Sequence, residues 1–288
     1  MAIDVLIKQK LFSSKTMPLE VILGDNLHYG NFVNDKLNES ELGESEFIAY
    51  NPLCIGRGFS VIWNPSEKKS IALRLPQPST TQEIRDFYAA IERMVKYWDA
   101  KLVVDGNKLR LDSFMTSLQD MIKFNEETIK QLSREILDGK HDTLTFYSTM
   151  WPLSIGKEEA ILFLNNSDSY AEWLHQKQAM DVYFASPDFY VSDDGIFGRF
   201  HLMNNLPAIF PYQPTVPLSA TDQKTGNPLE CEQWMILLSI EGADEPLCEM
   251  EYSKFLSLIA DSKKSRYDGH CFLLSELTEE ELRKISIQ

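Results

Sequence analysis

Basic residues are in short supply. Only 28 Lys and Arg stand against 43 Asp and Glu in 288 residues, a formal charge of −15 with neutral histidines. Proteins that bind nucleic acid neutralise phosphates with clustered cations, so this deficit excludes nucleic acid as a partner. Cysteine is scarce too. Cys54, Cys231, Cys248 and Cys271 include no CxxC pair, which excludes a disulfide scaffold and reads as reduced, mostly buried thiols. Long apolar runs are missing. The longest uninterrupted ones, such as Trp234 to Leu238, are five residues and fall far short of the roughly 18 residues that a membrane span needs. Near the start, Asp4 interrupts the apolar Ile3 to Ile7, and no longer apolar segment with a small-residue cleavage site follows. The expectation is a cytosolic protein with no membrane partner.

Catalytic signatures are equally sparse. His28, His141, His175, His201 and His270 form no HxH or HxxxH pair, so no metal site is expected. Glu172 and His175 make a single ExxH, whereas a di-iron bundle needs a second copy and two further glutamates. That pair reads as helix surface. His270 and Cys271 are neighbours on an expected strand and point to opposite faces. There is no GxSxG elbow, P-loop or GxGxxG fingerprint, and no cofactor is expected. Gly56-Arg57-Gly58 could offer an arginine and bare amides to an anion, but a tight bend entering the following strand is the preferred reading.

What is present is core material. Apolar residues make up 43% of the chain and aromatics 11%. The clearest local signal starts at Thr80, where Glu83 completes a capping box. Ile84, Phe87, Tyr88, Ile91, Met94, Val95 and Trp98 then follow at helical spacing, predicting a core-facing helix. Strands are expected at 3–8, 47–50, 54–63 and 70–75, and Asp105-Gly106-Asn107 predicts a hairpin between 101–104 and 108–111. Residues 24–46 read as a long loop or short polar helix. A helical region runs from Asp112 to Gly139, with its apolar phase slipping near Asn125, as one bent helix or two. Further on, strands are expected at 143–148, 160–164, 181–185, 189–191, 196–203, 232–240 and 269–275. Helices are expected at 168–178, 251–260 and 278–285, and residues 206–228 read as loop.

The acidity is uneven. Residues 1–140 carry 18 basic and 20 acidic groups, and residues 141–288 carry 10 and 23, so the second part holds −13 of the −15. Pro52-Leu53-Cys54-Ile55-Gly56 and Pro152-Leu153-Ser154-Ile155-Gly156 agree at four of five positions, which makes a diverged duplication an open reading. The chain is accordingly divided into an N-terminal part, 1–140, and an acidic C-terminal part, 141–288.

The strongest functional candidate is a region, 186–217, which combines Asp188, Asp193, Asp194, Arg199, His201, Phe210 and Tyr212 with five prolines. Aromatics give contact area at low entropic cost, and prolines hold a loop in place before it meets a partner. The alternative is that these aromatics fill the core and the acids solvate a turn.

The opening Ile3-Asp4-Val5-Leu6-Ile7-Lys8, the stretch Pro52-Leu53-Cys54-Ile55-Gly56-Arg57-Gly58-Phe59 and the Trp151-Pro152-Leu153 echo resemble an uncharacterised family. That family is defined only as a domain of unknown function of about this length, chiefly in Gram-positive bacteria. The resemblance implies a bacterial cytosolic protein and brings no activity or catalytic residues with it.

The fold expectation is α+β, with mixed or mainly antiparallel sheets and helices packed on one face; a doubly wound α/β fold is the runner-up. Two functions are carried forward. One is a non-catalytic protein that binds another protein through its acidic or proline-aromatic surface. The other is an enzyme whose acids and histidines converge near 188–201.

Overall fold

Ile3, Val5 and Ile7 alternate with Asp4, Leu6 and Lys8, and β1 (Ala2–Lys8) turns the first three into the core. The structure, a computed structural model, describes residues 2–10, 15–33, 36–43, 45–63, 69–192, 195–217, 220–221, 227, 229–231 and 233–288. Its residues cluster into two compact units, one running to Met180 and one from Asp181 to Gln288.

In the first unit, β1 is followed by α1 (Leu19–Leu23), β2 (His28–Val33), β3 (Lys36–Glu39), β4 (Glu46–Tyr50), β5 (Phe59–Ile62) and β6 (Ser70–Pro76). Next come α2 (Thr81–Trp98), β7 (Lys101–Val104), β8 (Asn107–Leu109), α3 (Leu111–Thr116) and α4 (Leu118–Leu137). The unit closes with β9 (Leu144–Phe146), β10 (Leu153–Ile155), α5 (Lys157–Asn165) and α6 (Ser169–Gln178). Eight strands form one sheet, in the order β3-β2-β4-β5-β6-β1-β7-β8, and every neighbouring pair is antiparallel. Helix α2 contributes Ile84, Phe87, Tyr88, Ile91, Met94 and Trp98 to the cluster that holds Ile3, Val5, Ile7, Val61 and Leu73. Burying each such side chain stabilises the fold by about 1.5–3 kcal/mol. The α+β expectation holds.

Two local expectations fail, and a third holds in its two-helix form with the break displaced, each for a physical reason. Residues 24–46 contain the β2–β3 hairpin, because Gly30 and Asn31 weaken the alternation while pairing with β4 supplies the strand. Residues 160–164 lie inside α5, since a short apolar run has no period of its own and Glu159 caps the helix at the Gly156 amide, 3.0 Å away. The region after Asp112 breaks at Ser117, between α3 and α4, and α4 runs straight through Asn125. Asn125 lies on the buried stripe with Ile122, Ile129, Ser133 and Ile136. A polar residue with a buried partner therefore looks, in sequence, like a slip of phase.

Asn64-Pro65-Ser66, a turn composition between the strands expected at 54–63 and 70–75, lies outside the described residues. The two echo pentapeptides fold differently. Leu153 sits in β10 and is 0% exposed, whereas Leu53 lies in a turn and is 85% exposed. Residues 144–178 supply hydrogen-bond partners to the loop at 51–58, and the compact units part after Met180.

The second unit contains β11 (Tyr183–Phe184), β12 (Asp188–Ser192), β13 (Gly195–Met203), β14 (Ala208–Pro211), β15 (Gln233–Ser239) and β16 (Cys248–Glu251). It continues with α7 (Tyr252–Leu258), β17 (Lys264–Arg266), β18 (Cys271–Leu274) and α8 (Glu279–Ser286). Two mixed four-stranded sheets result, β12-β13-β15-β16 and β11-β14-β18-β17, with parallel pairing only at β13–β15 and β11–β14 among their described strands. Phe200, Leu202, Phe210, Ile236, Leu238, Tyr252, Phe255, Phe272 and Leu282 share one buried cluster. Thr278 and Glu281 cap α8 reciprocally. Strand β14 falls within the stretch expected to be loop, since three of its four residues are apolar and pairing with β18 satisfies their backbone.

Candidate functional site

In the first unit the Gly56-Arg57-Gly58 segment does receive an anion, and the anion is internal. Glu83 Oε1 accepts the backbone N–H groups of Arg57 and Gly58, the latter at 2.6 Å, while Oε2 accepts the Thr80 N–H at 2.7 Å. Gly58 has φ +68°, and a Cβ at Gly56 would run into the Glu83 carboxylate, so glycine is required at both positions. The Arg57 guanidinium donates to Tyr147 O at 2.9 Å and Pro78 O at 3.2 Å and lies 4.8 Å above the Phe146 ring. Burial pulls Arg57 below its ordinary pKa, opposed by Tyr170 and Glu83. Burial likewise pushes the Glu83 carboxyl upward, against three amide donors and Arg57.

Neighbouring side chains complete the clasp. Thr149 donates its hydroxyl and its amide to Gly56 O, at 3.0 and 3.1 Å. His175 Nδ1 accepts the Ile55 N–H at 3.0 Å, and Glu172 accepts from Gln176, which resolves the ExxH pair into two separate structural contacts. Asn125 bonds both backbone groups of Ser79, accepting its N–H at 2.8 Å and donating to its carbonyl. These groups are engaged with one another inside the chain. The arrangement can hold the loop at 51–58.

The second unit presents a different arrangement. Along β13, Gly198, Phe200 and Leu202 face the core, and Phe197, Arg199 and His201 face outward. Asp188 on β12 is directly opposite Arg199, and Tyr190 is opposite Phe197. The Arg199 guanidinium lies 4.3 Å over the Tyr190 ring and 5.4 Å over Phe197, while its Nε donates to Glu249 Oε1 of β16 at 2.6 Å. Tyr190 and Phe197 stack at 5.5 Å. His201 Nε2 and Asp188 Oδ2 are 3.3 Å apart but not aligned for a hydrogen bond. One aromatic and charged strip thus runs from edge strand β12 to edge strand β16, with Met235 and Leu237 of β15 beneath it in register.

The candidates from sequence divide accordingly. Asp188, Arg199 and His201 are brought together on the outward face. Phe210 is not among them: it is 0% exposed in β14 of the other sheet, within 6.2 Å of Phe200, Tyr252 and Phe272 ring centres. Tyr212, just beyond it, is half-exposed with its ring 5.4 Å from Phe272. Asp193 and Asp194 lie outside the described residues. Tyr190, Phe197 and Glu249 were not singled out from sequence, although the period of two in 196–203 places Phe197 beside Arg199 and His201.

Among the described residues, no group of three or more His, Cys, Asp or Glu is placed to hold a metal ion. Burial pushes all four thiols up, Cys54 to about 11 with help from Asp86 and Glu83, and Cys271, the buried one, well above its ordinary value. Cys54, Cys231 and Cys248 are only partly buried, contrary to expectation. Among the described residues, no helix is long and apolar enough to cross a membrane.

A family described as a domain of unknown function, DUF4299, matches residues 2–285. The chain belongs to that family. The DUF4299 match spans both compact units, so the clasp and the outward sheet face both fall within it. No curated protein and no solved structure matches the chain.

Proposed function

We propose that this DUF4299 chain is a non-catalytic, bacterial cytosolic protein that binds a Lys- or Arg-bearing segment of another protein through the outward face of β12-β13-β15-β16. The observation that carries the reading is the composition of that face. Tyr190, Phe197, Met235 and Leu237 supply contact area, and Asp188, Glu249 and Glu251 surround the single Arg199, which Glu249 and two rings already engage. Aromatic area with an acidic surround matches a basic partner. The field of the whole unit agrees, since residues 181–288 hold 18 acidic and 8 basic residues, a net −10.

Fluorescence anisotropy with a labelled lysine-rich decapeptide and a glutamate-rich one of equal length tests this. The lysine peptide should bind, weaken as salt rises, and lose at least about tenfold in affinity to an Asp188→Lys/Glu251→Lys variant, whereas the glutamate peptide should not bind. Equal binding of the two peptides, or an unchanged variant, overturns the reading.

A further inference from the structure

We propose that β12 is an open sheet edge that accepts a fifth strand, an extended segment of another protein in which basic and apolar residues alternate. The inference rests on the partner-binding reading above and specifies how the partner is held.

Among the described residues, the sheet order puts β12 at one end, paired with β13 along one side only. An edge strand presents a row of unpaired amides and carbonyls, and proteins ordinarily blunt such edges with lysine, proline or inward charges. Three other edges of this chain follow that practice. Lys36 lies in β3 and Lys108 in β8, at the two ends of the eight-stranded sheet, and β17 carries Lys264 and Arg266. At the opposite edge of the same sheet, β16 carries Glu249 and Glu251 and leads directly into α7. Strand β12 reads Asp-Phe-Tyr-Val-Ser, with neither lysine nor proline. Val191 is 85% exposed and Tyr190 is 37% exposed, so the edge is rich in strand-forming residues and open to solvent.

The two sides of this edge ask for different side chains. Asp188 and Tyr190 share the outward face, and Phe189 and Val191 share the other, where the Phe189 ring lies 6.0 Å from Trp234. An added strand alternates its side chains in the same way, so lysine or arginine on one side would meet Asp188 and Tyr190, and Val or Ile on the other would cover Val191. Charge selects among occupants. A second copy would bring another −15, −10 of it in residues 181–288, and another Asp188 to the same edge, whereas a basic segment is complementary.

The test uses the full chain, a nine-residue peptide alternating lysine and valine, and its twin with every internal amide nitrogen methylated. Methylation removes the donors that strand pairing needs and keeps the charge and side chains. The unmodified peptide should bind, slow amide exchange within Asp188–Ser192 at least tenfold at saturation, and outbind its twin by at least tenfold. If both peptides bind alike and exchange at 188–192 is unchanged, strand addition is wrong and face binding survives. If neither binds at low salt, both readings fall. Concentration-dependent dimerisation that protects the same amides without peptide overturns the choice of occupant.

Discussion

The Glu83 carboxylate, in the first turn of α2, accepts the backbone N–H of Gly58 at 2.6 Å, joining residues 25 positions apart. The same oxygen takes the Arg57 N–H, while its twin closes the capping box with Thr80. One side chain therefore ends a helix and organises a glycine loop.

Removing that acceptor should be costly. Glu83→Ala leaves three N–H donors without it, and each buried orphan costs about 1–3 kcal/mol, so a loss of at least about 3 kcal/mol is expected in urea unfolding. Glu83→Gln keeps one oxygen for Arg57 and Gly58 and sets its NH2 against the Thr80 amide, so it should lose about 1–3 kcal/mol. An alanine variant within about 1 kcal/mol of the parent would show that the clasp is not structural.

The thiols should react slowly, because the thiolate is the nucleophile and burial disfavours it at all four sites. With Cys54 pushed up to about 11, native protein at pH 7.5 should alkylate at Cys54 more than ~100-fold slower than a free thiol of ordinary pKa. Peptide mapping after timed iodoacetamide treatment measures this. Fast labelling at Cys54 would reopen a nucleophilic role.

His270 introduces a pH dependence. Burial lowers its pKa below 6.5, so between the folded and unfolded values the unfolded chain binds the extra proton. Its contribution is fully present above the unfolded value near 6.5 and is lost as pH falls toward the lowered folded one. Substitution leaves its backbone contacts, the N–H to Asp268 and the carbonyl from Tyr212, available. Calorimetry should therefore show a smaller fall in Tm between pH 7.5 and 5.5 for His270→Gln than for the parent. Equal falls in the two proteins would remove His270 as the cause.

Much of the secondary structure was legible because its signals are local. The Thr80–Glu83 box, the 3.6-residue period of α2 and the Asp105-Gly106 turn act over a few residues, and each appears where the pattern places it. Where the pattern misled, a distant partner overrode it. Gly30 became strand through β4 and Asn31 through β3, and Asn125 entered a buried stripe because Ser79 answers both ends of its amide. The candidate region was half legible. The alternation around Arg199 and His201 marked a strand with an outward face, but no spacing in the sequence could separate Phe210 from it, since Phe210 belongs to the neighbouring sheet.

Composition alone settled the acidic character, the scarcity of thiols and the absence of metal-ligand spacing among the histidines, because those properties need no geometry. The identity of the anion at Gly56-Arg57-Gly58 and the edge position of β12 were decided by long-range pairing. A carboxylate fits two amides only when the fold carries α2 to the loop, and a strand is an edge only when nothing in the sheet order lies beyond it. Both depend on contacts between residues far apart in the chain, which local periodicity does not encode.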